Sequence, residues 1–264
     1  MNKPVRSPPP EDLRADVERA QNLGLTLFLL DQASAIGTDV MLANVASPQD
    51  RGIGGYLTIR EGEDRPGDTW LVQFFTARAP LEVLVRVRVP MGRGRKPMFE
   101  ALEPPVPASE DACLLMRARE TAMAALGAPA QPQNPVVLPG AAIGEDGILV
   151  YLLAGTNRPN VAVFGKHHRV LISPDGRSVK KLEPMSKTFL EVPIEGGTLD
   201  GASAGLYVTH LVTACPVETH VFVSLLHRMP VYVGTARGSW VVDGTKISQL
   251  EVPSGRKPWW RFWQ

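Results

Sequence analysis

EVLVRVRV, residues 82–89, is the stretch on which the fold class turns. Val83, Val85, Val87 and Val89 fall at every second position, with Glu82, Leu84, Arg86 and Arg88 between them. Successive side chains of a strand point to opposite faces, so one face here is apolar and the other wet. That alternation predicts a half-buried antiparallel strand. Strand-like runs precede it at 55–60 and at 69–76 (TWLVQFFT), and EGEDRPGD (61–68) has the composition of a turn between them.

Outward from this sheet the second half reads mostly as strand. Runs rich in Val, Leu, Tyr and Phe occupy 148–154, 161–173, 178–182, 206–213, 217–227, 231–233 and 239–242. Turn chemistry separates them, as in Asn157-Arg158-Pro159-Asn160, Ser173-Pro174-Asp175-Gly176 and Asp243-Gly244. Parallel neighbours need crossovers of a dozen residues or more, and most of these connections are shorter, so antiparallel pairing is expected.

Helical period appears in the first half. Pro10 suits a first helical turn, Leu13, Val17 and Ala20 recur at helical spacing, and Gly24 is read as the stop. LTLFLL (25–30) reads as a buried strand, and Asp31 as the cap of a short helix ending near Met41 or Leu42. The strongest helix starts at Ser109, carries Glu110 and Asp111 in its first turn, and stops at Gly127 with Pro129 beyond. The class is α+β: a helix-containing N-terminal half (1–127), a Pro-rich linker (128–140), and a mainly antiparallel β-sheet C-terminal half (141–264) with an aromatic tail.

Composition bounds the function. The chain has 264 residues, 44% apolar and 21% charged, which excludes a wholly disordered, collagen-like or coiled-coil protein. The 28 basic and 27 acidic residues nearly cancel, so no strong field points to nucleic acid. Arg86, Arg88, Arg93, Arg95 and Lys96 form one basic stretch, but no aromatic residue interleaves it for base stacking. No run of 18 consecutive apolar residues occurs, and the start, MNKPVRSPPP, has no apolar core of a secretory signal. A cytoplasmic protein is therefore expected, with Cys113 and Cys215 as separate thiols. Walker, HExxH, CxxC and GxSxG motifs are absent.

The candidate site rests on the histidines. All five lie between 167 and 227: His167, His168, His210, His220 and His227. If 217–227 is a strand, Glu218 and His220 share a face, and neighbouring strands can bring His167, His210 and His220 beside them. Three readings stay open. Three imidazoles are ligands suited to zinc or another divalent metal. Glu218 orienting His220 as a general base, with Arg169 holding an anionic group, is the metal-free catalytic reading. Plain hydrogen bonding on a half-solvated sheet is the third. Cys215 near His210 and His220 is read as a buried thiol rather than a nucleophile.

THLVTACPVETHVFVSLLHRMPVYVGTARGSWVVDGTKI (209–247) resembles the C-terminal part of a group of uncharacterised bacterial proteins. The shared pattern is a Thr-His strand, Pro-x-Glu-x-His-Val-Phe, and a Gly-x-Trp-x-Val-x-Gly hairpin. FGKHHRVLISPDG, with His167 and Arg169, is similar to that group too, and LLDQASAIGTDVMLANV (29–45) more faintly. The group implies no activity. A cysteine would be expected after Ser186, where this chain has Lys187-Thr188-Phe189, which argues against a thiol mechanism there.

The tail GRKPWWRFWQ places Trp259, Trp260 and Trp263 among basic residues. It is read as covering its own sheet or as docking a protein partner or a second copy, ahead of a membrane. The sequence thus predicts a soluble bacterial-type binding or interaction protein. The alternative is a hydrolase-type enzyme using the His/Glu constellation, with or without a divalent metal.

Overall fold

The computed structural model describes residues 5–61, 69–92, 94–159, 161–186, 189–193, 206–210 and 212–251. The tail tryptophans lie outside the described residues. The strands are β1 (Arg6–Ser7), β2 (Ile53–Glu61), β3 (Thr69–Thr76), β4 (Glu82–Pro90), β5 (Met98–Pro107), β6 (Gln133–Pro139), β7 (Ile148–Ala154), β8 (Val161–Gly165), β9 (His168–Ile172), β10 (Val179–Pro184), β11 (Phe189–Pro193), β12 (Leu206–Thr209), β13 (Val231–Thr235), β14 (Gly238–Asp243) and β15 (Lys246–Leu250). The helices are α1 (Arg14–Asn44), α2 (Glu110–Leu126) and α3 (Glu218–His227). The class is α+β with a β-rich C-terminal part, as the alternating strands imply.

Two compact units form. Unit 1 holds residues 1–28, 154–168 and 184–264; unit 2 holds 29–153 and 169–183. The Pro-rich stretch 128–140 contributes strand β6, beside β7 in a sheet of order β10-β9-β7-β6.

Unit 2 contains that sheet and the antiparallel meander β2-β3-β4-β5. In β4 the four valines are buried and the residues between them half-buried, matching the period-2 reading. Helix α2 serves both sheets. Ala118 and Ala122 pack with Ile148, Val150, Leu152, Val170 and Ile172. Ala112 and Met116 pack with Leu57, Phe75 and Val83. Ser109 caps α2, its hydroxyl accepting from the Ala112 N–H at 3.2 Å, and Gly127 ends it at φ 78°. Both ends fall where the sequence signals placed them.

Helix α1 corrects the first reading. Residues 14–44 are one helix, so LTLFLL is helical and Gly24 is no stop. Leu13, Val17, Ala20, Leu23, Leu27, Leu30 and Ala33 are buried at three- and four-residue intervals, an apolar stripe that runs through Gly24. Gly24 is there for closeness: a Cβ on it would lie 2.4 Å from Val221 Cβ and 2.7 Å from the Glu218 carbonyl oxygen. Helix propensity, which disfavours glycine by about 1 kcal/mol, gives way to packing. Among the described residues this is the one helix long and apolar enough to cross a membrane by length and composition, a test that core helices also pass.

Unit 1 is built on a five-stranded sheet of order β1-β15-β14-β13-β12, with the β8–β11 pair beside it in sequence. Here the second correction falls. Residues 218–227 are helix α3, not strand. The run carries Thr219, Val221, Phe222 and Val223, types that suit strands, but it is buried nearly all round, and in so short an apolar run the two periods are hard to tell apart. The helix supplies a crossover, so β12 and β13 pair in parallel while the other ladders of this sheet are antiparallel. Val221 and Phe222 of α3 and Val231, Val233, Trp240 and Val242 of the sheet are buried. Trp240 Nε1–H donates to Thr235 Oγ1 at 3.0 Å, so the ring is wholly inside without an orphan donor.

Candidate functional site

Helix α3 has no side-chain cap from Val217. Instead His220, in the first turn, turns back: the Val217 N–H donates to His220 Nδ1 at 3.1 Å. This is the half of a capping box usually made by Glu or Gln. The bond decides the tautomer. Nδ1 is an acceptor, so the proton of the neutral ring sits on Nε2. Burial pushes His220 down to about 3, with His210 and His167 nearby acting in the same direction, so the ring is neutral near pH 7.

His167 is locked the same way from another element. The Ala154 N–H, at the end of β7, donates to His167 Nδ1 at 3.0 Å. Nε2 of His167 therefore carries the proton, yet that atom is buried with no partner among the described residues. The residue is 2% exposed, and burial pushes it down to about 4. Its ring stands edge-on to Phe222 at 6.0 Å.

His210, just past β12, is set by a relay. The Thr213 hydroxyl donates to the Cys215 carbonyl at 2.6 Å, which uses its only proton. His210 Nε2, 2.9 Å from the same hydroxyl oxygen, must then be the donor of that pair. Among the described residues, Nδ1 of His210 is left as a bare acceptor. Burial lowers this imidazole and the Glu218 charge partly opposes that. The rings of His210 and His220 meet at 4.8 Å, perpendicular within a few degrees (86°).

These three histidines line one cavity of about 320 Å³ in unit 1. The rest of its wall is mainly apolar: Phe164, Phe189, Leu190, Leu206, Val208, Val223 and Val231, with Ser186, Tyr207, Thr209 and Thr219 as further polar groups. The remaining predicted residues are placed elsewhere. Glu218 is buried in the first turn of α3 but does not line the cavity. Arg169 lies on β9 in unit 2 and pairs with Glu183 at 3.1 Å. So the structure brings together His167, His210 and His220, and leaves out Arg169 and Glu218.

The donor set does not fit a metal. A metal at Nε2 of His167 or His220 needs that nitrogen bare, and hence the proton on Nδ1, where a backbone N–H already points. Among the described residues no group of three or more His, Cys, Asp or Glu side chains is arranged to hold a metal ion. The same bonds make His167 and His220 hydrogen-bond donors rather than bases. Cys113 and Cys215 are free thiols, and burial pushes Cys215 up to about 11, which leaves it un-ionised at neutral pH.

Sequence reasoning missed Ser186, Thr209, Thr213 and Thr219. Nothing local marks them; only the tertiary fold gathers them. No family model, curated protein or solved structure matches this chain.

Proposed function

We propose that this protein binds a small, largely apolar molecule in the unit 1 cavity and works as a binding protein. One observation carries the reading: a mainly apolar cavity of about 320 Å³ is lined by three uncharged imidazoles whose tautomers are fixed by the protein. Ligand sites are typically apolar hollows of about 300–1,000 Å³ with a few placed polar groups. The neutral fluorophore N-phenyl-1-naphthylamine tests this. Saturable one-to-one binding is expected, lost in Leu190→Trp and Thr209→Trp, which fill the cavity from positions partly open to solvent. No saturable binding, or binding that both variants leave unchanged, removes the proposal.

A hydrolytic reading has one observation behind it: His210, whose Nδ1 is bare among the described residues, lines the same cavity as Ser186. Turnover of p-nitrophenyl butyrate that is lost in both Ser186→Ala and His210→Phe would favour it over simple binding.

A further inference from the structure

We propose that the ligand's polar end is an uncharged group carrying a proton donor beside an acceptor oxygen, as in a primary carboxamide or an alcohol. The inference rests on the binding reading above and names the chemistry that the cavity selects. Its ground is the complement of hydrogen-bonding atoms that the protein itself does not engage.

One of these is a donor. Among the described residues the His220 ring is engaged only at Nδ1, which leaves its Nε2–H without an acceptor. The other is an acceptor, Nδ1 of His210, left bare among the described residues by the Thr213 relay. The two rings meet at 4.8 Å and both residues line the cavity. Nε2–H of His167 also lacks a partner among the described residues, but that atom is closed off by its neighbours and offers nothing to a ligand. A carboxamide or hydroxyl oxygen accepts from His220 Nε2–H, and the attached N–H or O–H suits His210 Nδ1.

Charged ends fit less well. A carboxylate has no proton for His210 and sets its lone pairs against that nitrogen's own. An ammonium has no lone pair for the His220 N–H. Neither finds a counter-charge among these neutral rings, and an unpaired charge is costly to bury.

Calorimetric titration at pH 7.5 with octanamide, N,N-dimethyloctanamide, octanoate and octylammonium holds the apolar body constant and varies only the end. Octanamide should bind tightest, with the dimethyl compound, which lacks the donor, about tenfold weaker. In His210→Phe that difference should vanish. Imidazole 15N shifts of the unliganded protein give a second readout that needs no variant: His210 protonated on Nε2 and bare on Nδ1. Equal binding of the two amides, tightest binding of octanoate or octylammonium, or the opposite His210 tautomer overturns the inference. Octanamide that fails to displace N-phenyl-1-naphthylamine also overturns it, while leaving the cavity as a binding site. Failure of the fluorophore itself to bind takes away both.

Discussion

Two polar clusters, one in each unit, are finished differently. In unit 2, Asn134 sits between two partners. Its Nδ2–H donates to Asp31 Oδ1 at 2.5 Å, and its Oδ1 accepts from the Tyr56 hydroxyl. Ser34 and Thr58 share a bond of 2.7 Å nearby. Nε of Arg119 lacks a partner among the described residues, but that guanidinium stands 5.7 Å above the Tyr56 ring. The space beside this cluster is only about 10 Å³, too little for a ligand. In unit 1 His167, His210 and His220 each engage one nitrogen with the protein and, among the described residues, leave the other unpaired, and all three line a cavity of about 320 Å³. A cluster that satisfies itself holds a fold together. A cluster that stops halfway beside an apolar hollow is arranged to receive something.

The largest expected effect that separates them is acid. All five histidines belong to unit 1, and burial lowers every one of them from the ordinary 6.5. Below pH 6.5 the unfolded chain takes up protons that the folded unit refuses until about pH 4 for His167 and about pH 3 for His220. Acidification through that window therefore favours unfolding, by up to about 1.4 kcal/mol per pH unit for each of these two rings. Asp31 in unit 2 has the opposite sign. Burial, against the hydrogen bonds from Asn134 and Gln32, raises it, so the folded state gains its proton before the unfolded one. Hydrogen exchange followed by mass spectrometry, corrected for the intrinsic rate, should show unit 1 losing protection between pH 6.5 and 4.5 while unit 2 keeps it. Equal loss in both would break the contrast.

A smaller effect comes from single substitutions. Asn134→Leu leaves a half-buried carboxyl and a phenol without their shared partner and should lower unfolding stability by about 3 kcal/mol in urea titration. His220→Phe keeps the ring and removes only the bond from the Val217 N–H, a loss of about 1 kcal/mol. If His220→Phe is as damaging as Asn134→Leu, the histidine cluster is as structural as its counterpart, and the reason for reading it as a ligand site weakens.

How much of this was legible follows the same divide. Strand β4 was, because alternation over eight residues has one meaning. Helix α2 was, because Ser109 and Gly127 mark both ends by chemistry local to the chain. Helix α1 was misread because Gly24 looks like a stop until Val221 is seen against it. Helix α3 was misread because ETHVFVSLLH has the residue types of a strand, and with it went the shared strand face of Glu218 and His220. The crowding of histidines between 167 and 227 was visible, and three of them do line one cavity. Their tautomers were not visible, because they are set by backbone N–H groups and a threonine that only the folded chain brings to them. Arg169 stands next to His168 in sequence, yet it belongs to the other unit and pairs with Glu183. Adjacency along a chain does not imply a shared site.

The smallest effect in stability bears most directly on the unfinished cluster. Thr213 Oγ1 accepts a hydrogen bond from His210 Nε2–H on one side, and its hydroxyl donates to the Cys215 carbonyl on the other. Thr213→Val keeps the shape and removes both bonds, which should lower stability by only about 1 kcal/mol, because the residue itself is exposed. Its effect on His210 should be larger than that figure suggests. With no acceptor for Nε2–H, the ring loses its reason to keep the proton there, and the tautomer that protonates Nδ1 becomes accessible. That exchange turns the only acceptor of the three rings into a donor. The 15N shifts of His210 should then move toward the mean of the two tautomers, and octanamide should lose its advantage over N,N-dimethyloctanamide without any change in the volume of the cavity. If the shifts stay where they are in Thr213→Val, the relay is not what fixes His210. The asymmetry between donors and acceptor would then need another source in unit 1.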